Sequence, residues 1–204
     1  IPVSKNDFRE AYVFAERTLG RTLLILPSHN FMDMLRIKIG LQQQWLNEHD
    51  LLPIDEAMNQ KFAQVAFHSY GTAKFTVASA IPILNKLKER YPIVLVSNFY
   101  GNIRTVLQNF YLDTMFNEIV ESAVVGVRKP DPMIFKLGLE KLNLPADRVV
   151  VFGDSHPKDI IPADSLGCQT VWLKNTGWLD YTGDEKADEI ITDFTQIKDL
   201  FKLD

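Results

Sequence analysis

The chain predicts an α/β protein built on a doubly wound, mainly parallel sheet, with a smaller helical unit ahead of it. Three observations carry that expectation. Short apolar runs rich in β-branched residues, Ile93-Val94-Leu95-Val96, Val149-Val150-Val151-Phe152 and Thr170-Val171-Trp172-Leu173, alternate with helical patterns after about residue 74, as parallel βα units require. Runs without polar alternation fit strands covered on both faces. Residues 1–73, by contrast, hold helical periodicity broken by polar connections such as Pro27-Ser28-His29-Asn30,.

In order along the chain, residues 4–19, 31–49 and 54–69 read as helices, with Ser4 and Asp55 as capping candidates,. The second is amphipathic, with Leu35, Ile39 and Leu46 on related faces,. A fourth helix over residues 79–90 accommodates Pro82 if it lies in the first turn, where N–H groups lack intrahelical partners,. Residues 132–143 place Phe135, Leu139 and Leu142 at i, i+4 and i+7, a face for packing on the sheet,. Ala187-Asp188-Glu189-Ile190-Ile191 predicts one more strand, followed by a last helix through Phe194, Ile197, Leu200 and Phe201.

Three strand ends carry candidate chemistry. Val151-Phe152-Gly153-Asp154-Ser155-His156-Pro157-Lys158-Asp159 brings two carboxylates to the carboxyl end of a buried strand, where open α/β sheets bind ligands. Oxygen donors there suit Mg²⁺, which takes one or two carboxylates and completes its shell with water and ligand phosphate; turn or capping roles use the same residues. Ser97-Asn98, ending the Ile93 run, offers a hydroxyl, an amide and the backbone N–H groups of a helix start for a phosphate, or simply caps that helix,. In Val127-Arg128-Lys129-Pro130-Asp131-Pro132, Pro130 biases Lys129 towards an extended conformation while Asp131-Pro132 reads as a helix start,. Lys129 thus sits in a loop, either solvated or reaching into the crevice as a point charge.

In this order and spacing the segments resemble the haloacid dehalogenase-like (HAD) superfamily, whose members are mostly Mg²⁺-dependent phosphatases acting through an aspartyl-phosphate. Lys129-Pro130-Asp131-Pro132-Met133-Ile134-Phe135 and Asp159-Ile160-Ile161-Pro162-Ala163-Asp164-Ser165-Leu166-Gly167 also look like this family. The resemblance implies a Rossmann-like core over residues 74–204 and a helical cap over residues 1–73. It further implies that Ser97 and Asn98 bind the phosphoryl group, that Lys129 neutralises it, and that Asp154 and Asp159 hold or orient Mg²⁺. Its first motif, a strand ending in D-x-D, finds no match. Asp7 and Asp33 lie in helical text, and Asp50 and Asp55 flank Leu51-Leu52-Pro53. Because the chain opens Ile1-Pro2, the nucleophile strand is expected upstream of Ile1.

A net charge of −4 gives no electrostatic case for nucleic acid,. No apolar stretch reaches membrane-spanning length,. The single cysteine, Cys168, cannot form an internal disulfide and precedes an apolar strand, so a buried thiol in a reducing cytoplasm is expected,. His156 lies in the acidic loop but suits softer metals than Mg²⁺. His29, His49 and His68 show no ligand spacing, while Arg17, Arg21, Arg36 and Lys38 are candidate anion readers from the helical unit. Trp172 and Trp178 read as packing residues,. The expected function is hydrolysis of a small phosphorylated metabolite. A non-catalytic binding protein on the same scaffold, or dehalogenase or phosphomutase chemistry, are the alternatives.

Overall fold

The computed structural model describes residues 2–174 and 185–203; Trp178 lies outside them. The chain forms two compact units, one of Ile1–Ala78 with Tyr100–Asp113, the other of Ser79–Phe99 with Thr114–Asp204.

The first unit is helical. α1 (Lys5–Leu19) starts at Ser4, whose hydroxyl accepts from the Asp7 N–H at 3.1 Å. α2 (Phe31–Glu48) starts with a reciprocal capping box between Asn30 and Asp33, satisfying two donors that a helix start otherwise leaves open. Asp55 accepts from the Met58 N–H at 2.7 Å and caps α3 (Glu56–Arg90). Ala11, Ile39, Leu46, Leu52, Met58, Phe62 and Ala66 form the core, with Leu35 packed against it. The later segment of this unit, α4 (Ile103–Asn109), leads to Phe110, which joins Phe31 and Tyr70 in an aromatic cluster with centroids 5.1 and 5.8 Å from it.

One expectation changes here. The helices predicted over residues 54–69 and 79–90 are a single helix, α3, with Pro82 in its interior. Between them the strongest helix-disfavouring residue is Gly71, at about 1 kcal/mol relative to alanine,, too little to end a helix. Pro82 removes one backbone bond, but its neighbour Ile83 and then Leu87 are buried at 1% and 7% exposure, so tertiary packing holds the segment helical.

The second unit is the α/β part. Its strands are β1 (Val94–Ser97), β2 (Glu118–Glu121), β3 (Val150–Gly153), β4 (Gln169–Leu173) and β5 (Glu189–Ile191). All pairings among the described residues are parallel, and they make two sheets, β1-β2 and β3-β4-β5. β2 was not predicted: Glu118-Ile119-Val120-Glu121 has only two apolar residues between acids, so no run is visible. α5 (Ser122–Val125) follows it, then α6 (Met133–Leu142), α7 (Ile161–Asp164) and α8 (Ile197–Phe201).

Successive strand residues face opposite ways, and the two faces bury different helices. Val150, Val171, Leu173 and Ile191 pack with Ile83 and Leu87 of α3 and Ile197 of α8, whereas Val94, Val96, Val120 and Val151 pack with Ile134 and Phe135 of α6. Helices on both faces of parallel strands make this a doubly wound α/β unit. The buried face of α6 is Ile134, Phe135 and Gly138, with Leu139 and Leu142 only half-buried. It is rotated from the predicted face because Gly138 meets β1 directly; a Cβ there would lie 3.1 Å from Val96 Cγ2. Cys168 is buried as expected, and burial pushes its thiol pKa up. No helix among the described residues is long and apolar enough to cross a membrane.

Candidate active site

The predicted site residues lie at the carboxyl ends of β1 and β3 and in the loop between α5 and α6, and hydrogen bonds wire these segments together. Asn98, just past β1, uses its side-chain amide twice on Lys129: its Oδ1 accepts from the Lys129 N–H at 2.8 Å and its Nδ2 donates to the Lys129 carbonyl at 3.0 Å. The lysine side chain then runs to the other sheet, where Nζ meets Asp159 Oδ1 at 2.6 Å. Asp159 Oδ2 accepts from the Ser155 N–H at 3.0 Å, and the Asp159 N–H returns to the Ser155 carbonyl at 2.7 Å. The structure thus brings Asn98, Lys129, Ser155 and Asp159 into one network, with Ser97 and Asp154 as immediate chain neighbours of its members.

Local backbone explains the tight turn. β3 ends at Gly153, and a π-helical turn over His156–Ile160 brings Asp159 back onto it. A Cβ on Gly153 would lie 2.2 Å from Asp159 Cβ, so only glycine admits this approach. Asp159 is 3% exposed. A buried carboxylate of that kind needs a charge partner and hydrogen bonds, and Lys129 and Ser155 supply them.

One backbone donor at this strand end is differently employed. The Phe99 N–H, one of the backbone donors that follow Ser97-Asn98, donates at 3.0 Å to Ser122 Oγ, which itself donates to the Phe99 carbonyl at 3.2 Å. Ser122 was not singled out from sequence, because the strand it follows, β2, shows no apolar run. Glu121, the register partner of Ser97, is a 5% exposed acid at the same strand ends that sequence reasoning also passed over. Among the described residues the Ser97 hydroxyl and the Asp154 carboxylate make no protein hydrogen bond or ion pair. His156 turns to the Lys186 carbonyl, 2.9 Å from its Nε2.

The donor set bears on a metal. Among the described residues no three His, Cys, Asp or Glu side chains gather into a metal cage. Mg²⁺ does not need one, since it binds through one or two carboxylates with water and ligand phosphate. Asp154 fits that requirement with both oxygens unspent among the described residues, while Asp159 has each oxygen engaged by a protein donor.

The four aspartates that precede Ser97 serve the helical unit. Asp7 pairs with Ser4, Asp33 closes the α2 capping box, Asp55 caps α3, and Asp50 stands at φ 55° in the connecting turn. None ends a strand.

The helical unit has its own charged cluster. Glu16 on α1 pairs with Lys38 on α2 and accepts from the Tyr100 hydroxyl at 2.8 Å, and Lys38 lies 4.6 Å from the Tyr12 ring centroid. Burial works to raise the Glu16 pKa, but the Lys38 charge and the hydrogen bonds from Lys38, Tyr100 and Tyr12 outweigh it and hold the pKa below the usual glutamate value. Lys38 is thus neutralised within its own unit rather than left as a free anion reader.

A parallel α/β unit with a Ser-Asn strand end, a loop lysine and an acidic strand end defines the class, and sequence comparison agrees. The profile of the haloacid dehalogenase-like hydrolases matches residues 3–167; the chain belongs to that family. The chain is 30% identical over 158 residues to glyceraldehyde 3-phosphate phosphatase of Pyrococcus furiosus, an alignment covering 73% of this chain and 65% of that protein. It thus spans just under two thirds of that relative. It is 27% identical over 161 residues to the pyrimidine 5′-nucleotidase YjjG of Escherichia coli, covering 77% and 68%. Among solved structures, YfnB of Bacillus subtilis in its magnesium-bound crystal form superposes with a TM-score of 0.55 at 19% identity, covering 95% of this chain and 92% of that one.

Proposed function

We propose that the protein is a Mg²⁺-dependent phosphohydrolase acting on a small phosphorylated metabolite. The observation that carries this reading is the network from Asn98 through Lys129 to Asp159 and Ser155, which fixes one cation at the strand ends and, among the described residues, leaves Ser97 and Asp154 unspent beside it. A phosphate ester brings negative charge to a site already holding carboxylates, so cations must offset the repulsion before an anionic nucleophile can approach.

In this reading Ser97 holds the transferring oxygens. Lys129, oriented at its backbone by Asn98 and at its ammonium by Asp159, neutralises the phosphoryl group. Asp154 binds the Mg²⁺, and Asp159 keeps its place as the lysine's partner and orients the loop. When bound, the metal supplies Lewis-acid polarisation of a phosphoryl oxygen. Hydrolysis through an aspartyl-phosphate also needs an attacking aspartate, and none of the four aspartates ahead of Ser97 ends a strand. A parallel strand between β1 and β3 is where we place it, since both edges face no described strand and both strands already share the α6 core. Residues 1–73 act in this reading as the cap that selects the substrate. Two relatives named for a triose phosphate and for pyrimidine nucleotides favour a small phosphate ester, and the buried single thiol fits a reducing cytoplasm.

The test is phosphate release from a generic ester by the full-length protein, with folding checked by circular dichroism. Chelation of divalent cations abolishes turnover, and Asp154→Asn and Lys129→Ala each lower it on the order of a hundredfold or more. Near-normal turnover in either folded variant overturns that residue's role. Phosphate release that persists without a divalent cation overturns the Mg²⁺ role, and halide release from a haloacid in place of phosphate release favours dehalogenase chemistry.

A further inference from the structure

Trp172 is wholly buried in β4 and pairs in register with Gly153, the last residue of β3. Its strand neighbours Val171 and Leu173 pack into the α3 and α8 core, so the indole lies on the other face,. There its Nε1–H donates to the Asp154 carbonyl at 3.2 Å, one residue beyond the point where the β3-β4 ladder ends. A side chain thus does at Asp154 what the neighbouring backbone does for β3. The same ring lies 5.0 Å from the His156 imidazole, tilted by 57°, and the Lys174 ammonium stands 5.0 Å from its centroid.

The acidic loop therefore has two anchors. Asp159 is tied by Lys129 and Ser155, and the Asp154 to His156 side is tied by Trp172. Since the Asp154 carboxylate has no protein partner among the described residues, its direction depends on its backbone. We infer that Trp172 is a positioning residue that aims the Asp154 carboxylate and so sets the affinity of the site for its divalent cation. The inference rests on the proposed metal role of Asp154.

The test uses Mg²⁺ alone with the full-length protein, read by calorimetry and by the indole N–H resonances in ¹H–¹⁵N spectra. The chain has three tryptophans, Trp45, Trp172 and Trp178, so Trp172 is assigned by substituting each in turn with phenylalanine. Mg²⁺ shifts the Trp172 indole resonance with the calorimetric midpoint, and Asp154→Asn abolishes the shift. Trp172→Phe keeps an aromatic ring without the donor and weakens Mg²⁺ binding about tenfold, with a much smaller change in kcat at saturating Mg²⁺. Val171→Ala, which opens space on the opposite face of the same strand, lowers Tm without changing Mg²⁺ affinity.

An unchanged Mg²⁺ affinity in folded Trp172→Phe overturns this inference alone. So does an equal loss in Val171→Ala, or an indole resonance indifferent to Mg²⁺ that calorimetry sees bind. Absence of any Mg²⁺ binding to the parent overturns the Asp154 assignment, and this inference with it. If Trp172→Phe fails to fold, the indole titration of the parent decides.

Discussion

Each unit of the molecule contains a lysine paired with a buttressed carboxylate, and the two are built differently. In the α/β unit, Lys129 is clamped through its own backbone by Asn98, and Asp159 is held by the Ser155 N–H inside a turn that only Gly153 permits. In the helical unit, Glu16 and Lys38 project from two helices and are braced by the side chains of Tyr12 and Tyr100. Backbone-braced groups lose little freedom when a ligand arrives, as a reacting site requires. A pair braced by side chains stabilises packing and tolerates rearrangement. The distinction predicts that comparable changes cost activity in one unit and stability alone in the other.

Among changes to the bracing of the two pairs, the largest effect is expected from Gly153→Ala. The added methyl would fall 2.2 Å from Asp159 Cβ and 2.7 Å from its Cγ, with no flexible side-chain end to give way. Either β3 retreats or the π-helical turn shifts, and Lys129 loses its partner in both cases. Turnover should fall on the order of a hundredfold, the usual result of an ångström-scale misplacement, with stability reduced by about 1–3 kcal/mol. Steady-state kinetics beside a urea midpoint measure both. Wild-type turnover in this variant would mean that the Asp159 turn is not part of a rigid site.

Asn98→Ala comes next. It strips both partners from the Lys129 backbone, leaving a part-buried donor and acceptor at a cost of about 1–3 kcal/mol,. Because the ammonium still has Asp159, the loss in turnover should be smaller than in Lys129→Ala. Turnover that falls as far as in Lys129→Ala would show that Asn98 itself touches the phosphoryl group.

The strand ends were legible in the sequence because Val-rich runs stop abruptly at polar residues, and the caps Ser4 and Asp55 announced their helices. The network between the strand ends was not. Asn98 looks like a capping or phosphate-binding amide until the loop 31 residues on is folded against it. The ion pair of Lys129 with Asp159 likewise joins residues 30 apart. β2 hid behind its flanking glutamates, and α3 ran through a segment whose breakers are weaker than the packing of Ile83 and Leu87. In each case a tertiary contact decided what local composition left open.

The smallest effect is expected in the helical unit, from Glu16→Gln. The substitution keeps the shape and the acceptor for Tyr100 but removes the charge opposite Lys38. The Glu16 pKa is lowered in the folded protein despite burial, so its charge contributes stability above the ordinary glutamate value of 4.5 and loses that contribution as the pH falls through the folded value,. The variant should therefore be less stable than the parent at neutral pH, by a few tenths to about 1 kcal/mol for a partly exposed pair, and the difference should close below pH 4.5. Thermal melts of parent and variant across that range measure the difference directly, alongside kcat at neutral pH. Stability curves that stay parallel through the acid range would show that Glu16 is not ionically coupled. A fall in kcat as large as that of Asn98→Ala would break the distinction between the two pairs and place Glu16 and Lys38 in the reacting machinery.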